Sequence, residues 1–587
     1  MNVANALTHA FILLQQGRTA QAESAITPVL ASAGSAGQHL LGLVRAAQGR
    51  LVEAEALMQR SLQDQPYNHE YWTNYGNLGR EMDALGPAES RYRRALQLSP
   101  RFVPALRGLV RLLLDQSAFE QSAQLAEHLV SISRTGLAFA YWAQSLRGQR
   151  RLTQALEVCV RAQAEGVTHN SLLLEHAIIL EKLGDGQAAL EIYRALEANG
   201  LRDPALYVNW AGTEDALGAH DAAITQLRKG LQHSPGNVRL HLALVHALVA
   251  AGSAEPEQEL LEALARQPGD FGLLRLSATL LRQLDRPQLA QNLFVVAKAA
   301  YPQNSWIDLA WAEHLDETGD PQAAAALIDQ AQAVIAPTRQ SLGVIAHVRL
   351  RNSAFEAALA ASQQLLRLSP YDQVGLAYQW TAQKGLGRAK GSDHWVRTYD
   401  LQTPPGFASL DSFNAQLRLS LHEIHNRSQI PLGQSVRHGT QTPKSLLDSP
   451  DPTIRAFLDA LAQPLQEYEA QMAQMDSPAL AQRRTGRRRL SGCWSILLRP
   501  GGWHVNHVHP QGWISSAYYV ETPQAPARQG WLKFGEPRYS IPGCGPDLWI
   551  EPRPGRLVLF PSFLWHGVES FTVGGERLTI AFDAVPA

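Results

Sequence analysis

The chain has 587 residues, of which 18% are charged and 45% hydrophobic, with a formal net charge of −1. Such a length exceeds one ordinary core, so several domains or a repeat array are expected. Near-neutral charge without a long basic tract excludes bulk attraction to nucleic acid or to an anionic membrane surface.

Three widely spaced cysteines, Cys159, Cys493 and Cys544, make neither a disulfide framework nor a paired metal knuckle. The N-terminus lacks the charged, apolar and small-residue order of a signal peptide, and no apolar run reaches about 18 residues. A cytoplasmic, reduced setting is the expectation.

Self-similarity dominates the first two-thirds. Counting from His69, the residues Trp72, Gly76, Ala88, Tyr92, Ala95 and Pro100 occupy positions 4, 8, 20, 24, 27 and 32. Small residues at 8 and 20 let two antiparallel helices approach, aromatics at 4 and 24 fill the gaps, and the proline stops the second helix. That is the tetratricopeptide pattern, and a step of about 34 residues recovers it. Starts at Ser35, Asn170, Pro204, Phe271, Ser305 and Arg339 repeat the pattern, while 103–169 and 238–270 are looser. The expectation for 1–390 is about eleven repeats and a helical cap, forming a superhelix whose concave face binds a peptide or protein. The recurring Trp and Tyr residues are read as repeat packing.

Periodicity ends after Lys384–Gly391, and 391–587 has another texture. Residues 410–426 and 452–475 read as helices, and Gly439–Pro443 as a turn. The arginine run from Arg483 to Arg489 reads as a solvated loop. From Cys493 short strands alternate with turns, at about 494–498, 512–520, 530–534, 556–560 and 578–582. Helices followed by short strands predict an α+β unit whose core strands, about 490–587, close into a barrel or jelly roll.

Two stretches in that core carry chemistry. His507 and His509 are two apart, so on a strand both imidazoles share one face. Leu557 to Phe560 reads as a buried strand that bends at Pro561 and ends on His566. Three histidines from two strands can hold a first-row metal and leave positions open. By the same alternation His504 points away from His507 and is assigned to barrel packing or to a place behind the ligands, while Trp503, Trp513 and Trp565 are read as barrel packing or rim. His422, His425 and His438 fit no pattern.

The spacing of Gly501, His507 and His509, and of Gly555, Pro561 and His566, resembles the two halves of a cupin-type double-stranded β-helix, although Trp513 and Ile514 stand where a cupin carries its glutamate. Eleven residues after His566 comes Arg577-Leu-Thr579. That order, with Tyr518-Tyr519-Val520 between, resembles the 2-oxoglutarate/Fe(II) oxygenases that bacteria fuse behind tetratricopeptide arrays. The resemblance implies Fe(II) on His507, His509 and His566, with 2-oxoglutarate and O2 as cosubstrates. A buried guanidinium forks onto a carboxylate, so Arg577 would anchor the distal carboxylate of 2-oxoglutarate, helped by Thr579 and by the phenol of Tyr518 in preference to Tyr519. His509 departs from the family, which places Asp or Glu there. It is a third neutral ligand, or water replaces it, or a carboxylate such as Asp547 or Glu536 folds in. The expected function is a 2-oxoglutarate-dependent hydroxylase of a polypeptide. The alternatives are a three-histidine cupin enzyme independent of 2-oxoglutarate and a non-catalytic adaptor with a degenerate barrel.

Overall fold

A computed structural model describes residues 2–425, 435–442, 445–475 and 478–586. Two compact units are present: 1–233 with 336–339 and 367–369, and 234–335 with 340–366 and 370–587.

The first unit is built of seven antiparallel helix pairs, from Val3–Gln15 with Thr19–Ile26 to Pro204–Ala216 with His220–His233. The pair His69–Glu81 and Leu85–Leu98 shows why the pattern folds so. The side chain of Asn68 accepts from the free N–H groups of Glu70 and Tyr71, starting the first helix. Tyr92, fully buried, lies flat over Gly76, where a Cβ would come within 2.7 Å of its ring. Its hydroxyl donates to Asn77 Oδ1 at 2.7 Å, so burying the phenol leaves no orphan. The looser stretch 103–169 forms the same pairs, Val103–Asp115 with Phe119–Ile132 and Gly136–Gly148 with Leu152–Ala164. There Ser122 occupies a small-residue position and is bound to Ser145 at 2.7 Å, so a buried hydroxyl pair replaces apolar contact.

The second unit opens with four more helix pairs, Val238–Ala250 with Gln258–Arg266 through Arg339–Arg351 with Phe355–Leu368, and then the single helix Gln373–Gly385. An Asn or Asp caps many first helices: Asp203, Asn237, Asp270, Asn304 and Asp372 each accept a backbone N–H. The N-terminal region is therefore a tetratricopeptide-type array, and among the described residues no helix is long and apolar enough to cross a membrane.

Nine strands follow among the described residues: β1 Arg397–Asp400, β2 Val436–Gln441, β3 Arg488–His507, β4 Ile514–Glu521, β5 Leu532–Phe534, β6 Leu548–Ile550, β7 Arg556–Pro561, β8 His566–Val568 and β9 Arg577–Pro586. All pair antiparallel in the order β1-β7-β4-β9-β3-β8-β5-β6, with β2 along β3. β3 belongs to two layers. Its first half, to Leu498, pairs with β9, and its second half, from His504, pairs with β8. The change of partner falls at Gly501, whose φ of +84° only glycine adopts freely, and its N–H donates to Phe571 O at 2.7 Å. One strand thereby links the two halves of the jelly-roll sheet.

Two sequence expectations need correction. Gly439 lies inside β2 rather than in a turn, because its segment finds a partner in β3; Pro443 lies outside the described residues. The helix expected at 452–475 is two, Pro452–Ala460 and Ala462–Met472. With Leu410–His425 they supply part of the apolar cluster shared with the strands, Phe457 against Tyr518 for example. The helix Gln373–Gly385 is also built into the jelly roll, with Ala377 and Trp380 in the same cluster. Lys384 Nζ donates to Gly535 O, Gly545 O and Asp547 Oδ2 at 2.7–3.0 Å.

Candidate metal centre

The sheet encloses a cavity of about 390 Å³, lined from β2, β3, β4, β5, β7, β8 and β9. His507 ends β3, His509 follows it, and His566 opens β8 directly across from His507. Their ring centroids lie 4.3–5.1 Å apart, and one nitrogen from each falls within 4.8 Å of the others.

Hydrogen bonds decide which nitrogens face inward. His507 Nδ1 meets Val505 O at 2.8 Å, and His566 Nδ1 meets Leu564 O at 3.0 Å. A carbonyl only accepts, so both rings carry their proton on Nδ1 and turn an Nε2 lone pair to the cavity. His509 Nδ1 sits 2.6 Å from Asp583 Oδ1, which fixes its ring the same way. Burial, reinforced by neighbouring His509, pushes the His507 imidazole down to about 4, and burial holds His566 well below the ordinary histidine value.

The Nε2 atoms of His507 and His509 are only 3.2 Å apart. Two facing lone pairs repel unless a proton or a cation lies between them. Two imidazoles on one metal, each bonded at about 2.0–2.1 Å, hold their nitrogens about 3 Å apart. The donor set therefore fits a first-row divalent ion, with imidazoles oriented from behind by carbonyls and a carboxylate.

Neither carboxylate considered from sequence joins the histidines. Asp547 pairs with Lys384, and Glu536 with Lys533 and Asn506. The nearby carboxylate is Asp583, held also by Ser515 Oγ at 2.7 Å. The negative charge that an Asp or Glu ligand would bring stands one hydrogen bond outward, behind His509. Sequence reading missed it, although Arg577, Thr579, Ala581 and Asp583 alternate along β9 and all line the cavity.

Arg577 is 2% exposed, deep in the cavity. Its Nε donates to Gly530 O at 2.9 Å and its Nη1 to Thr579 Oγ1 at 3.4 Å, and its guanidinium lies 5.1 Å from the centre of the Tyr519 ring. Among the described residues no carboxylate pairs with it. Burial lowers its proton affinity, and Tyr519 offsets part of that loss. A buried cation without a counter-ion is costly, and an anionic ligand relieves that cost. Tyr518 is not with this group: adjacent residues on a strand face opposite ways, and its hydroxyl donates to Asn414 Oδ1 at 2.7 Å. Tyr519 takes the place expected for it.

Trp565 Nε1 donates to Thr381 Oγ1 at 3.0 Å, so the residue before His566 is tied to the last helix of the array. His504 also lines the cavity, contrary to the alternation argument. Three steps of β3, from His504 to His507, oppose two steps of β8, from Val568 to His566. That bulge returns both rings to one face.

Comparisons with known proteins cover the two regions separately. Residues 492–583, which contain all of these β-strand site residues, match the family model described as "Putative 2OG-Fe(II) oxygenase". Over 325 residues, 48% of the chain, the sequence is 26% identical to the cellulose synthase operon protein C of Xanthomonas axonopodis pv. citri, and the match spans 20% of that protein's length. Similar solved structures include a tetratricopeptide repeat protein from Parabacteroides merdae, at 15% identity over 41% of this chain and 97% of that one with a TM-score of 0.37. PilF of Pseudomonas aeruginosa matches at 18% identity over 34% of this chain and 91% of its own, with a TM-score of 0.30. The family model covers the core strands of the jelly roll, and the tetratricopeptide-type array is defined by its own helix pairs.

Proposed function

We propose that the protein is an Fe(II)/2-oxoglutarate-dependent dioxygenase that hydroxylates a peptide or protein recruited by the tetratricopeptide array in a reducing, cytoplasmic compartment. The observation that carries this reading is the meeting, in one cavity, of three inward Nε2 lone pairs with a buried guanidinium that has no counter-ion among the described residues. His507, His509 and His566 would hold the iron. Arg577 and Thr579 would take the distal carboxylate of 2-oxoglutarate, with Tyr519 packed against the guanidinium.

When bound by these three histidines, iron would supply the redox chemistry that couples decarboxylation of 2-oxoglutarate to oxidation of a substrate C–H bond by O2. The chain itself does the positioning. Val505 O, Leu564 O and Asp583 fix the three rings, so little reorganisation accompanies metal binding. Phe560, Leu532 and Val568 give the cavity dry walls.

Anaerobic Fe(II) plus 2-oxoglutarate should give a weak visible charge-transfer band, and admitting O2 should release succinate. Arg577→Ala should raise the 2-oxoglutarate requirement on the order of a hundredfold, the cost of removing one partner of a buried charged contact. An unchanged requirement rejects the cosubstrate assignment. The absence of a carboxylate among the three ligands favours a second reading, a three-histidine metalloenzyme that binds metal but not 2-oxoglutarate. Metal analysis beside a 2-oxoglutarate titration separates the two.

A further inference from the structure

His504 has an imidazole that the site as described does not use. Its ring faces the cavity, neither ring nitrogen has a hydrogen-bond partner among the described residues, and Nε2 is shut away from solvent. Leaving a buried polar group unsatisfied costs free energy, so a native orphan in a cavity wall calls for a ligand. An imidazole has at least one N–H to donate in either protonation state.

Its position says which end of a ligand it meets. His504 stands opposite Val568, one bulge deeper than the His507–His566 pair. Arg577 and Thr579 lie on β9 at the same deep end, while Asp583, the cavity's one acidic residue among those described, lies at the other end behind His509. The deep wall therefore offers a guanidinium, a hydroxyl and an imidazole, set among apolar Leu532, Val568 and Ile496. Its polar groups suit an anion and leave a neutral alkyl group unsatisfied.

We propose that His504 is a specificity-determining residue whose ring N–H donates to the distal carboxylate held by Arg577, so that the cavity distinguishes a dicarboxylic 2-oxo acid from a monocarboxylic one. This rests on the 2-oxoglutarate reading above and names the recognition of its far end.

The test uses the full chain loaded anaerobically with Fe(II). Calorimetric titrations compare 2-oxoglutarate with 2-oxopentanoate, which keeps the chelating end and lacks the distal carboxylate. His504→Leu should weaken 2-oxoglutarate binding about tenfold, the loss of one hydrogen bond to a charged group, and leave 2-oxopentanoate within about twofold. His504→Gln, which keeps an N–H donor, should recover most of the difference. Co(II) absorption should be unaltered in both variants, showing an intact metal centre. Equal weakening of both acids, no weakening of either, or loss of Co(II) binding would each overturn the proposal. A wild-type chain that binds neither acid, or both equally, would reject the 2-oxoglutarate reading itself. A wild-type preference that His504→Leu leaves untouched rejects only the role of His504.

Discussion

Buried histidines occur in both the helical array and the jelly roll, and the two regions use them in opposite ways. In the array His39 stacks on Tyr71 with centroids 3.8 Å apart, and burial pushes it down to about 4. Both of its nitrogens have side-chain neighbours, Ser61 at 3.5 Å and Asn74 at 3.0 Å. In the jelly roll His507 is held down to a similar value by a similar cause. Yet its Nε2 faces only another imidazole nitrogen. Burial and low proton affinity are thus shared by a packing histidine and a candidate ligand. What separates them is whether unshared pairs from distant segments converge.

The largest expected effect comes from removing a convergent ring. His507→Ala or His566→Ala should abolish tight metal binding, measured by Co(II) titration. His39→Ala should leave metal affinity within about twofold and lower stability instead, by about 1–3 kcal/mol. Metal binding that survives His566→Ala would erase the contrast.

The array should fail through its packing. Tyr92→Ala removes a fully buried ring that fits over Gly76, and should cost about 3–5 kcal/mol in denaturant titration. Metal affinity measured in native buffer should not follow it.

Acid should weaken both regions through neutral buried histidines. His425 in the jelly roll is pushed down to about 4, by burial first and by the charges of His422 and Arg499 second. His39 behaves likewise. An unfolded histidine titrates near 6.5, so between those values the unfolded chain binds more protons than the folded one. Stability from these residues is full above about 6.5 and falls as pH drops towards 4, by up to about 3 kcal/mol each. Among the described residues His425 donates or accepts towards Thr440 and Ser495, so His425→Gln should flatten the pH slope of unfolding without abolishing folding.

Asp583→Ala should weaken metal binding about tenfold to a hundredfold while leaving the three ligands in place, as loss of a group orienting a ligating histidine does. A change under twofold would mean that His509 is oriented without it. The smallest effect belongs to the surface. The Arg388–Glu356 pair is more than half exposed on both sides, and Arg388→Ala should cost no more than about 1 kcal/mol.

The array was legible because its contacts are short-range. Starts read at His69, Asn170, Pro204, Phe271, Ser305 and Arg339 are the first residues of helices, each packing against the next helix in sequence. The same logic reached His507, His509 and His566, since two-residue alternation is local. It failed for His504, where a bulge against β8 shifted the face, and it chose Tyr518, whose partner Asn414 lies more than a hundred positions away in sequence. It also overlooked Asp583, for nothing near it in sequence reveals that Ser515 and His509 come to meet it.

Periodicity and spacing pointed to helix pairs before a strand-rich barrel and to His507, His509 and His566, because propensity and alternation act between near neighbours, while Arg577 came from the family resemblance. Tertiary structure decided that β3 changes partner at Gly501, that a carboxylate stands behind His509, and that His504 lines the cavity. Those features depend on pairing between strands remote in sequence, and such pairing is set by packing across the whole core.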